Sequence, residues 1–264
     1  MGWSYLGILF AFAAILCAVG FYKYVYFLSI GYGFAIAGLG IVIAVLFRDQ
    51  METVHLIQCL VLIIYGIRLS GFLMYREIKN AAYRKTLSEV TATETKISLW
   101  IKIAIWISVA ALYVAQVSPI FYRQYNCATD KTLPWIGIAI CLIALLIESL
   151  ADQQKSSQKK VNPNMVATKG LYKVIRCPNY FGEILFWTGI TVGGLTALES
   201  WGQWTMAIVA YICIVGIMFN GAQRLEKRQI KNYGKMAEYQ RYADSTPILL
   251  PLIPLYHLNK ERKQ

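Results

Sequence analysis

Seven long apolar runs constrain this chain more than any other feature of its sequence. A helix that crosses the hydrocarbon core of a membrane needs about 20 mainly apolar residues. Hydrophobic residues make up 57% of the chain and charged residues only 15%, a balance outside the range of ordinary soluble domains. The sequence therefore predicts an all-α polytopic membrane helix bundle, one integral membrane domain over residues 1–264. The seven candidate spans are 3–21, 26–47, 54–75, 98–120, 133–150, 181–198 and 201–219.

The sixth run differs from the others in its composition. It contains Glu183 and three glycines, Gly189, Gly193 and Gly194. Its length of about 18 residues is enough to cross a bilayer, and we predict a full span. The alternative is a broken or re-entrant segment, which leaves six spans.

The basic residues predict the orientation of the bundle. The net charge is +12, and all but five of the 26 lysines and arginines lie in alternate loops and the C-terminal tail. The opposite loops hold only Arg48, Arg123 and Lys131. Cytosolic loops carry an excess of Lys and Arg, so we expect the N-terminus outside and the C-terminus in the cytosol. The host membrane would be a bacterial inner membrane or the endoplasmic reticulum.

The same distribution of charge bears on partners. The basic residues form short stretches between apolar runs and no independent basic domain, which favours a membrane surface over nucleic acid. The six cysteines include no CxxC pair, and the two histidines, His55 and His257, are far apart. We therefore predict no metal site. No obligate protein partner is evident from the sequence.

One face of the third run carries polar residues into the predicted bilayer. Tyr65, Arg68, Phe72 and Arg76 fall at i, i+3, i+7 and i+11 and share one helix face. If Arg76 marks the cytosolic surface, Tyr65 lies about 16 Å deeper at 1.5 Å per residue. An ionisable residue at the depth of Arg68 indicates a functional site. The alternative is that Arg68 snorkels or pairs with a carboxylate.

The end of the fifth run presents a second polar face. Glu148, Asp152, Lys155 and Lys159 fall at i, i+4, i+7 and i+11. Carboxylates at the membrane surface followed by cations in the cytosol suit a ligand with a hydroxyl or amide end inward and phosphates outward. The alternative is an ordinary charge-paired helix end.

The strongest motif opens the sixth run. It combines a turn glycine, an arginine, a proline suited to a helix start, and an Asn that could cap that helix. Capping alone leaves Glu183, one turn into an apolar run, without an explanation. The motif reads Gly170-Leu-Tyr-Lys-Val-Ile-Arg-Cys-Pro-Asn-Tyr-Phe-Gly-Glu183.

This motif resembles the signature of the steroid 5-alpha-reductase C-terminal-like family, including its bacterial domain-of-unknown-function branch. Isoprenylcysteine and phospholipid methyltransferases have a similar Arg-His-Pro-x-Tyr, but the Asn-Tyr-Phe-Gly-Glu continuation favours the reductases. Cys177 stands where the family has histidine, and the second run lacks the family's acidic residue. The resemblance extends to Gly66-Ile-Arg68-Leu with Arg76, Glu148-x3-Asp152-Gln, Arg224-Leu-Glu226, Tyr233-Gly234, Tyr239, Tyr242 and Pro251.

The resemblance implies a reductase that uses NADPH on the conjugated carbon–carbon double bond of a lipophilic, steroid-like or enone substrate. It implies a substrate-side half at about 1–125 and a cofactor-binding half at about 133–256. Tyr65 would be the catalytic residue at the substrate carbonyl, and Arg68 and Tyr32 would line the substrate site. The implied cofactor-binding residues are Glu148, Asp152, Lys159, Arg176, Asn179, Tyr180, Glu183, Arg224, Glu226 and Tyr233.

Within this set the resemblance implies a division of labour. Asp152, Asn179 and Glu183 would hold the nicotinamide ribose and amide, and the arginines and Lys159 would meet the phosphates. Two other functions stay open on the sequence. One is an S-adenosylmethionine-dependent lipid or prenylcysteine-type methyltransferase. The other is a non-enzymatic membrane protein whose polar residues only hold helices together. Cofactor binding distinguishes the three.

Overall fold

The computed structural model describes residues 2–81, 83–84, 87–88 and 97–259. Within these ranges the chain is helical and contains no β-strand, which confirms the all-α prediction. In a bilayer the backbone must satisfy its own hydrogen bonds, and apolar runs of this length do so as helices. Lys85, Lys96 and residues 260–264, which contribute to the predicted orientation, lie outside the described residues.

Nine α-helices are described. The helix Leu99–Tyr125 begins after Ser98, whose hydroxyl accepts a hydrogen bond from the Ile101 N–H at 3.4 Å. The helix Pro178–Gly194 begins at Pro178, as the motif predicted, because proline is pre-organised for the first helical position. The helices are α1 Trp3–Cys17, α2 Ile30–Leu46, α3 Thr53–Lys79, α4 Leu99–Tyr125, α5 Thr132–Val161, α6 Leu171–Val174, α7 Pro178–Gly194, α8 Trp201–Tyr233 and α9 Ala237–Ser245.

Six helical segments in the described part of the chain are long and apolar enough to cross a membrane. This result supports an integral, multi-pass membrane protein. The predicted orientation of the termini stays a prediction. The six segments are Trp3–Phe21, Tyr24–Leu46, Thr53–Lys79, Leu99–Tyr125, Thr132–Val161 and Trp201–Tyr233.

The predicted sixth span corresponds to α7, which is not among these six segments. α7 has 17 residues and ends at Gly194, where a single 3-10 turn, Leu195–Ala197, replaces it. At 1.5 Å per residue α7 is about 26 Å long, a little less than the ~30 Å hydrocarbon core. The glycine pair Gly193-Gly194 at its end shortens the helix relative to the apolar run.

The chain divides into two compact units. Unit 1 comprises Met1–Ile138 and Ile190–Ala210, and unit 2 comprises Ala139–Gly189 and Tyr211–Gln264. The substrate-side and cofactor-binding halves expected from the resemblance are continuous in sequence, whereas each compact unit is built from two segments. That functional division stays a prediction.

In unit 1, α2 and α3 approach each other through small residues. A Cβ added to Gly66 would collide with the Gly33 carbonyl oxygen and would lie 2.7 Å from the Ala37 nitrogen. One turn further along α3, the Ser70 hydroxyl donates a hydrogen bond to the Ile30 carbonyl at 2.8 Å. Small residues let membrane helices pack backbone to backbone. This close approach brings Tyr32 on α2 next to Tyr65 on α3.

In unit 2, the C-terminal segment folds back over the motif. The Arg176 N–H donates to the Pro247 carbonyl at 2.9 Å, and the Ile248 N–H donates to the Leu255 carbonyl at 2.8 Å. These bonds are accompanied by a buried apolar cluster, which joins the motif, α8 and the tail. Its buried members are Cys177, Ile184, Ala222, Ile248 and Leu249.

Candidate functional site

Two of the predicted cofactor residues meet in unit 2. The Asn179 amide, in the first turn of α7, donates a hydrogen bond to the Asp152 carboxylate on α5. The Asn179 carbonyl oxygen accepts a hydrogen bond from the Tyr172 hydroxyl at 3.1 Å. The Asn179 side chain is therefore engaged in this carboxylate–amide cluster, and the capping alternative does not account for it.

Two glutamines on α5 hold the turn that carries Tyr172. The Gln154 side-chain oxygen accepts from the Leu171 N–H at 2.8 Å. The Gln158 side-chain oxygen accepts from the N–H groups of Thr168 and Lys169, both at 2.9 Å. We did not predict these roles from the sequence. The available signal was the i, i+4 spacing of Gln154 and Gln158, which places both amides on one helix face shortly after Asp152.

Burial and neighbouring charges of both signs shift the pKa values of side chains in this turn. Burial raises the pKa of the Tyr172 phenol, and the nearby Asp152 carboxylate raises it further. Tyr172 therefore remains a hydrogen-bond donor at neutral pH. Burial also raises the pKa of the Cys177 thiol to about 12, while the positive charges of Arg176 and Lys155 oppose that shift. A carboxylate and two cations thus act on the same short segment, and Cys177 is a protonated, buried thiol.

Arg176 is the most enclosed cation of the motif. Only 2% of the residue is exposed. One guanidinium nitrogen, Nη2, donates to Glu226 at 2.9 Å and to the Tyr256 carbonyl. The other two, Nε and Nη1, have no hydrogen-bond partner among the described residues. Buried donors without partners are costly, and each of these two N–H groups can donate a charge-assisted hydrogen bond to a phosphate oxygen. The residues present therefore fit an anionic group at Arg176.

Glu226 on α8 anchors the C-terminal segment. Besides Arg176, its carboxylate accepts from the His257 ring at 3.0 Å and the Leu258 N–H at 2.9 Å. It also accepts from the Asn259 N–H at 3.1 Å and the Asn259 amide at 2.8 Å. These donors account for both carboxylate oxygens. A contact between Glu226 and a cofactor stays a prediction that would compete with them.

Glu148 and Glu183 are both buried, with 3% and 6% of each residue exposed. The Glu183 carboxylate accepts a hydrogen bond from the Trp187 indole N–H at 2.9 Å, one turn along α7. Glu148 lies on α5 where Gly182 of α7 packs against it, because a Cβ at Gly182 would lie 2.5 Å from the Glu148 Cγ. Gly182 therefore permits the close approach of α5 and α7 at these carboxylates.

The remaining predicted cofactor residues lie nearer the solvent-exposed parts of unit 2. The Lys159 ammonium donates to the Tyr233 hydroxyl at 2.9 Å and lies 5.0 Å from the centre of that ring. Arg224 is exposed on α8, and Tyr180 packs against the apolar cluster that contains Cys177. The structure thus pairs Lys159 with Tyr233 and leaves Arg224 at the surface.

Unit 1 contains the predicted substrate residues. Tyr65 is fully buried, and its hydroxyl donates to the Tyr32 hydroxyl at 3.1 Å. The Tyr32 ring lies 4.9 Å from the ring of Tyr113, which the sequence analysis missed. Tyr113 in turn donates to the Phe27 carbonyl at 2.5 Å. Tyr113 lies on α4 and Tyr32 on α2, with the whole of α3 between them in sequence. No local spacing therefore indicates this contact.

The two arginines of the predicted α3 face are less buried than Tyr65. Arg68 is partly buried. The Arg76 guanidinium lies 3.8 Å from the centre of the Tyr83 ring and 5.6 Å from that of Phe72, two cation–π contacts.

In the described residues no cluster of three or more His, Cys, Asp or Glu side chains could hold a metal ion.

Comparisons with known proteins place the chain in a wider group. A family model described as "Protein of unknown function (DUF1295)" matches residues 15–246. An uncharacterized protein of the fission yeast Schizosaccharomyces pombe is 30% identical over an alignment of 127 residues that covers 40% of this chain and 36% of the yeast protein. The chain thus spans little more than a third of the length of that relative. No solved structure matches.

Proposed function

The chain belongs to the family described as protein of unknown function DUF1295, and we propose that it is a membrane-embedded, NADPH-dependent reductase. Its substrate would be a lipophilic, steroid-like or enone molecule with a conjugated carbon–carbon double bond. The observation that carries the proposal is the buried Arg176, whose Nε and Nη1 have no partner among the described residues. This guanidinium lies in the motif that also contributes Asn179 to the carboxylate–amide cluster.

The chemistry of unit 2 suits the two ends of a dinucleotide. Arg176 would donate from Nε or Nη1 to phosphate oxygens, and Lys159 would supply a second cation on the same unit. Asp152 is an acceptor suited to a ribose hydroxyl. Asn179 offers both donor and acceptor groups suited to a carboxamide. When bound, NADPH would supply the hydride for the reduction.

In unit 1 we assign Tyr65 to the substrate carbonyl. Negative charge accumulates on that oxygen as the double bond is reduced, and a phenol donor stabilises it. In a dry site one such donor contributes roughly 3–4 kcal/mol to transition-state stabilisation. In the structure the single Tyr65 hydroxyl proton is donated to Tyr32, so it would turn from Tyr32 to the carbonyl when substrate binds. Arg68 stays a proposed substrate-site residue.

The charge of the two competing cofactors favours the reductase over the methyltransferase. S-adenosylmethionine carries one carboxylate and no phosphate, whereas NADPH carries a diphosphate and a 2′-phosphate. A phosphate matches a guanidinium bidentately and attracts lysine as well. The abundance of lysine and arginine in residues 155–176 and 224–235 therefore suits NADPH, and it suits NADPH better than NADH.

Titration of the detergent-purified chain with NADPH, NADH and S-adenosylmethionine tests the proposal. We expect NADPH to bind most tightly. Asp152→Asn should weaken it about ten- to a hundredfold, because a hydrogen bond to a charged group contributes about 1.5–3 kcal/mol. Asp49→Asn is the matched control, since that side chain is 90% exposed in unit 1, and it should leave affinity unchanged. Tight S-adenosylmethionine binding without dinucleotide binding would replace the reductase with the methyltransferase.

A further inference from the structure

A cavity of about 380 Å³ lies in unit 1 where α3 and α5 begin. None of the residues assigned to the cofactor or the substrate lines it, so a ligand bound here does not depend on the proposed function. Its lining combines a cation, an anion, an aromatic ring and apolar side chains. The lining residues are Met51, Glu52, Thr53, Val54, Lys131 and Trp135.

The two charges of the cavity form an exchangeable ion pair. The Lys131 ammonium lies 3.0 Å from a Glu52 carboxylate oxygen, and the two side chains are 59% and 43% exposed. An ion pair exposed to this degree contributes at most about 1 kcal/mol. Glu52 precedes α3 and makes no side-chain capping hydrogen bond with it. Each charge is therefore available to an opposite charge on a ligand at little cost.

The surroundings of the pair favour a phosphate beside a cation. The first residues of α3 and α5, Thr53 and Thr132, both lie at this end, and helix N-termini carry partial positive charge. Trp135 is 48% exposed, and an indole face attracts an ammonium group. The cavity thus presents positive potential around Lys131 and an anionic and aromatic surface at Glu52 and Trp135.

A buried histidine follows the lining residues Thr53 and Val54 on α3. His55, in the first turn of α3, is 4% exposed, and neither of its ring nitrogens has a partner among the described residues. It lies within electrostatic range of the Glu52 and Lys131 charges. Buried polar groups are normally hydrogen-bonded, but His55 does not line the cavity, so it is not among the groups that contact a ligand there.

The cavity also lies at a membrane boundary. α3 and α5 are both candidate spans, and the cavity forms at their first residues. Tryptophan is enriched at this level of a bilayer, where lipid headgroups meet water. The molecules most abundant at that level are phospholipids.

We propose that this cavity binds the headgroup of a zwitterionic phospholipid that carries a primary amine, as in phosphatidylethanolamine. Lys131 binds the phosphate, and Glu52 and Trp135 bind the ammonium. A purely anionic headgroup offers Glu52 no cation, only neutral hydroxyl donors in the case of phosphatidylglycerol. A choline headgroup satisfies Trp135 but has no N–H to donate to Glu52, so it binds more weakly.

Native mass spectrometry of the detergent-purified full chain tests the proposal with three lipids of identical acyl chains. We expect phosphatidylethanolamine to be retained in preference to phosphatidylcholine and phosphatidylglycerol. Lys131→Gln and Glu52→Gln should each weaken its binding about five- to tenfold, as expected for one charge-assisted hydrogen bond at a half-exposed site. Unchanged thermal unfolding of both variants shows that they are folded. Equal retention of the three lipids overturns the proposal.

Two further comparisons make the test specific. Arg48→Gln is the matched control, because Arg48 is a 76% exposed cation in the same unit that pairs with Asp49 at 3.3 Å and does not line the cavity. It should leave lipid retention unchanged, and an effect equal to that of Lys131→Gln refutes a local site. Soluble phosphoethanolamine and inorganic phosphate provide the second comparison. Weak competition by phosphoethanolamine supports a lipid headgroup site, whereas binding of either soluble ion as tight as that of the lipid refutes it.

Discussion

Replacing Glu226 tests how the C-terminal segment is held over the motif. The Glu226 and Arg176 side chains are 0% and 1% exposed and lie 2.9 Å apart. Removing one partner of a buried ion pair costs about 3–5 kcal/mol, because the other charge is left buried without compensation. Glu226→Gln keeps the size of the side chain but removes the charge and one acceptor oxygen. We therefore expect a loss of about 3–5 kcal/mol in the stability of the tail against local opening.

The backbone amides of Leu258 and Asn259 report this loss directly, since both donate to Glu226. Hydrogen exchange measured by mass spectrometry over residues 255–259 gives the free energy of local opening. A change of 3–5 kcal/mol corresponds to exchange that is about a hundred- to several thousandfold faster. Glu238→Gln on α9 is the control, because that residue is exposed, and it should change exchange little.

The size of the effect decides whether the reasoning is right. If Glu226→Gln accelerates exchange less than about fivefold, the pair contributes under about 1 kcal/mol and does not anchor the tail. A double variant sharpens the conclusion. Arg176→Met combined with Glu226→Leu should be less destabilised than the sum of the two single variants, because apolar replacement of both partners leaves no buried charge. Strictly additive losses would contradict a direct Arg176–Glu226 interaction.

Three other predictions follow from the two units and the loop charges. Gly66→Ala should destabilise unit 1 by about 1–3 kcal/mol through overpacking, whereas Gly71→Ala, which meets no atom within 4 Å, should be neutral or stabilising in the same unfolding assay. Folded Tyr65→Phe should keep NADPH affinity and lose about 100- to 1,000-fold in turnover. Glu183→Gln should lose about 1.5–3 kcal/mol of cofactor affinity. Loss of cofactor binding in folded Tyr65→Phe but not in folded Glu183→Gln would exchange their roles. A reporter at the C-terminus should be cytosolic and one in the 121–132 loop external, and finding both on one side would exclude the seven-span arrangement.

The motif predicted more of unit 2 than of unit 1. The start of α7 at Pro178 is a local property, since proline fixes its own backbone angle. The polar face of α5 is local as well, because helix periodicity alone aligns Asp152 with Lys159. These features could be derived before any contact was known. No comparable local signal pointed to Tyr113, whose partners come from other parts of the chain.

The sequence by itself determined that this chain forms membrane helices, because continuous apolar runs of about 20 residues satisfy their backbone hydrogen bonds internally in a bilayer as helices. It also determined which residue types lie on the polar faces. Only the tertiary structure decided their partners: that Arg176 pairs with Glu226, and that Tyr65 donates to Tyr32. The physical reason is that helix periodicity fixes neighbours within two or three turns, whereas these pairs join residues 50 and 33 positions apart. Their meeting depends on how closely small residues such as Gly66 allow whole helices to pack.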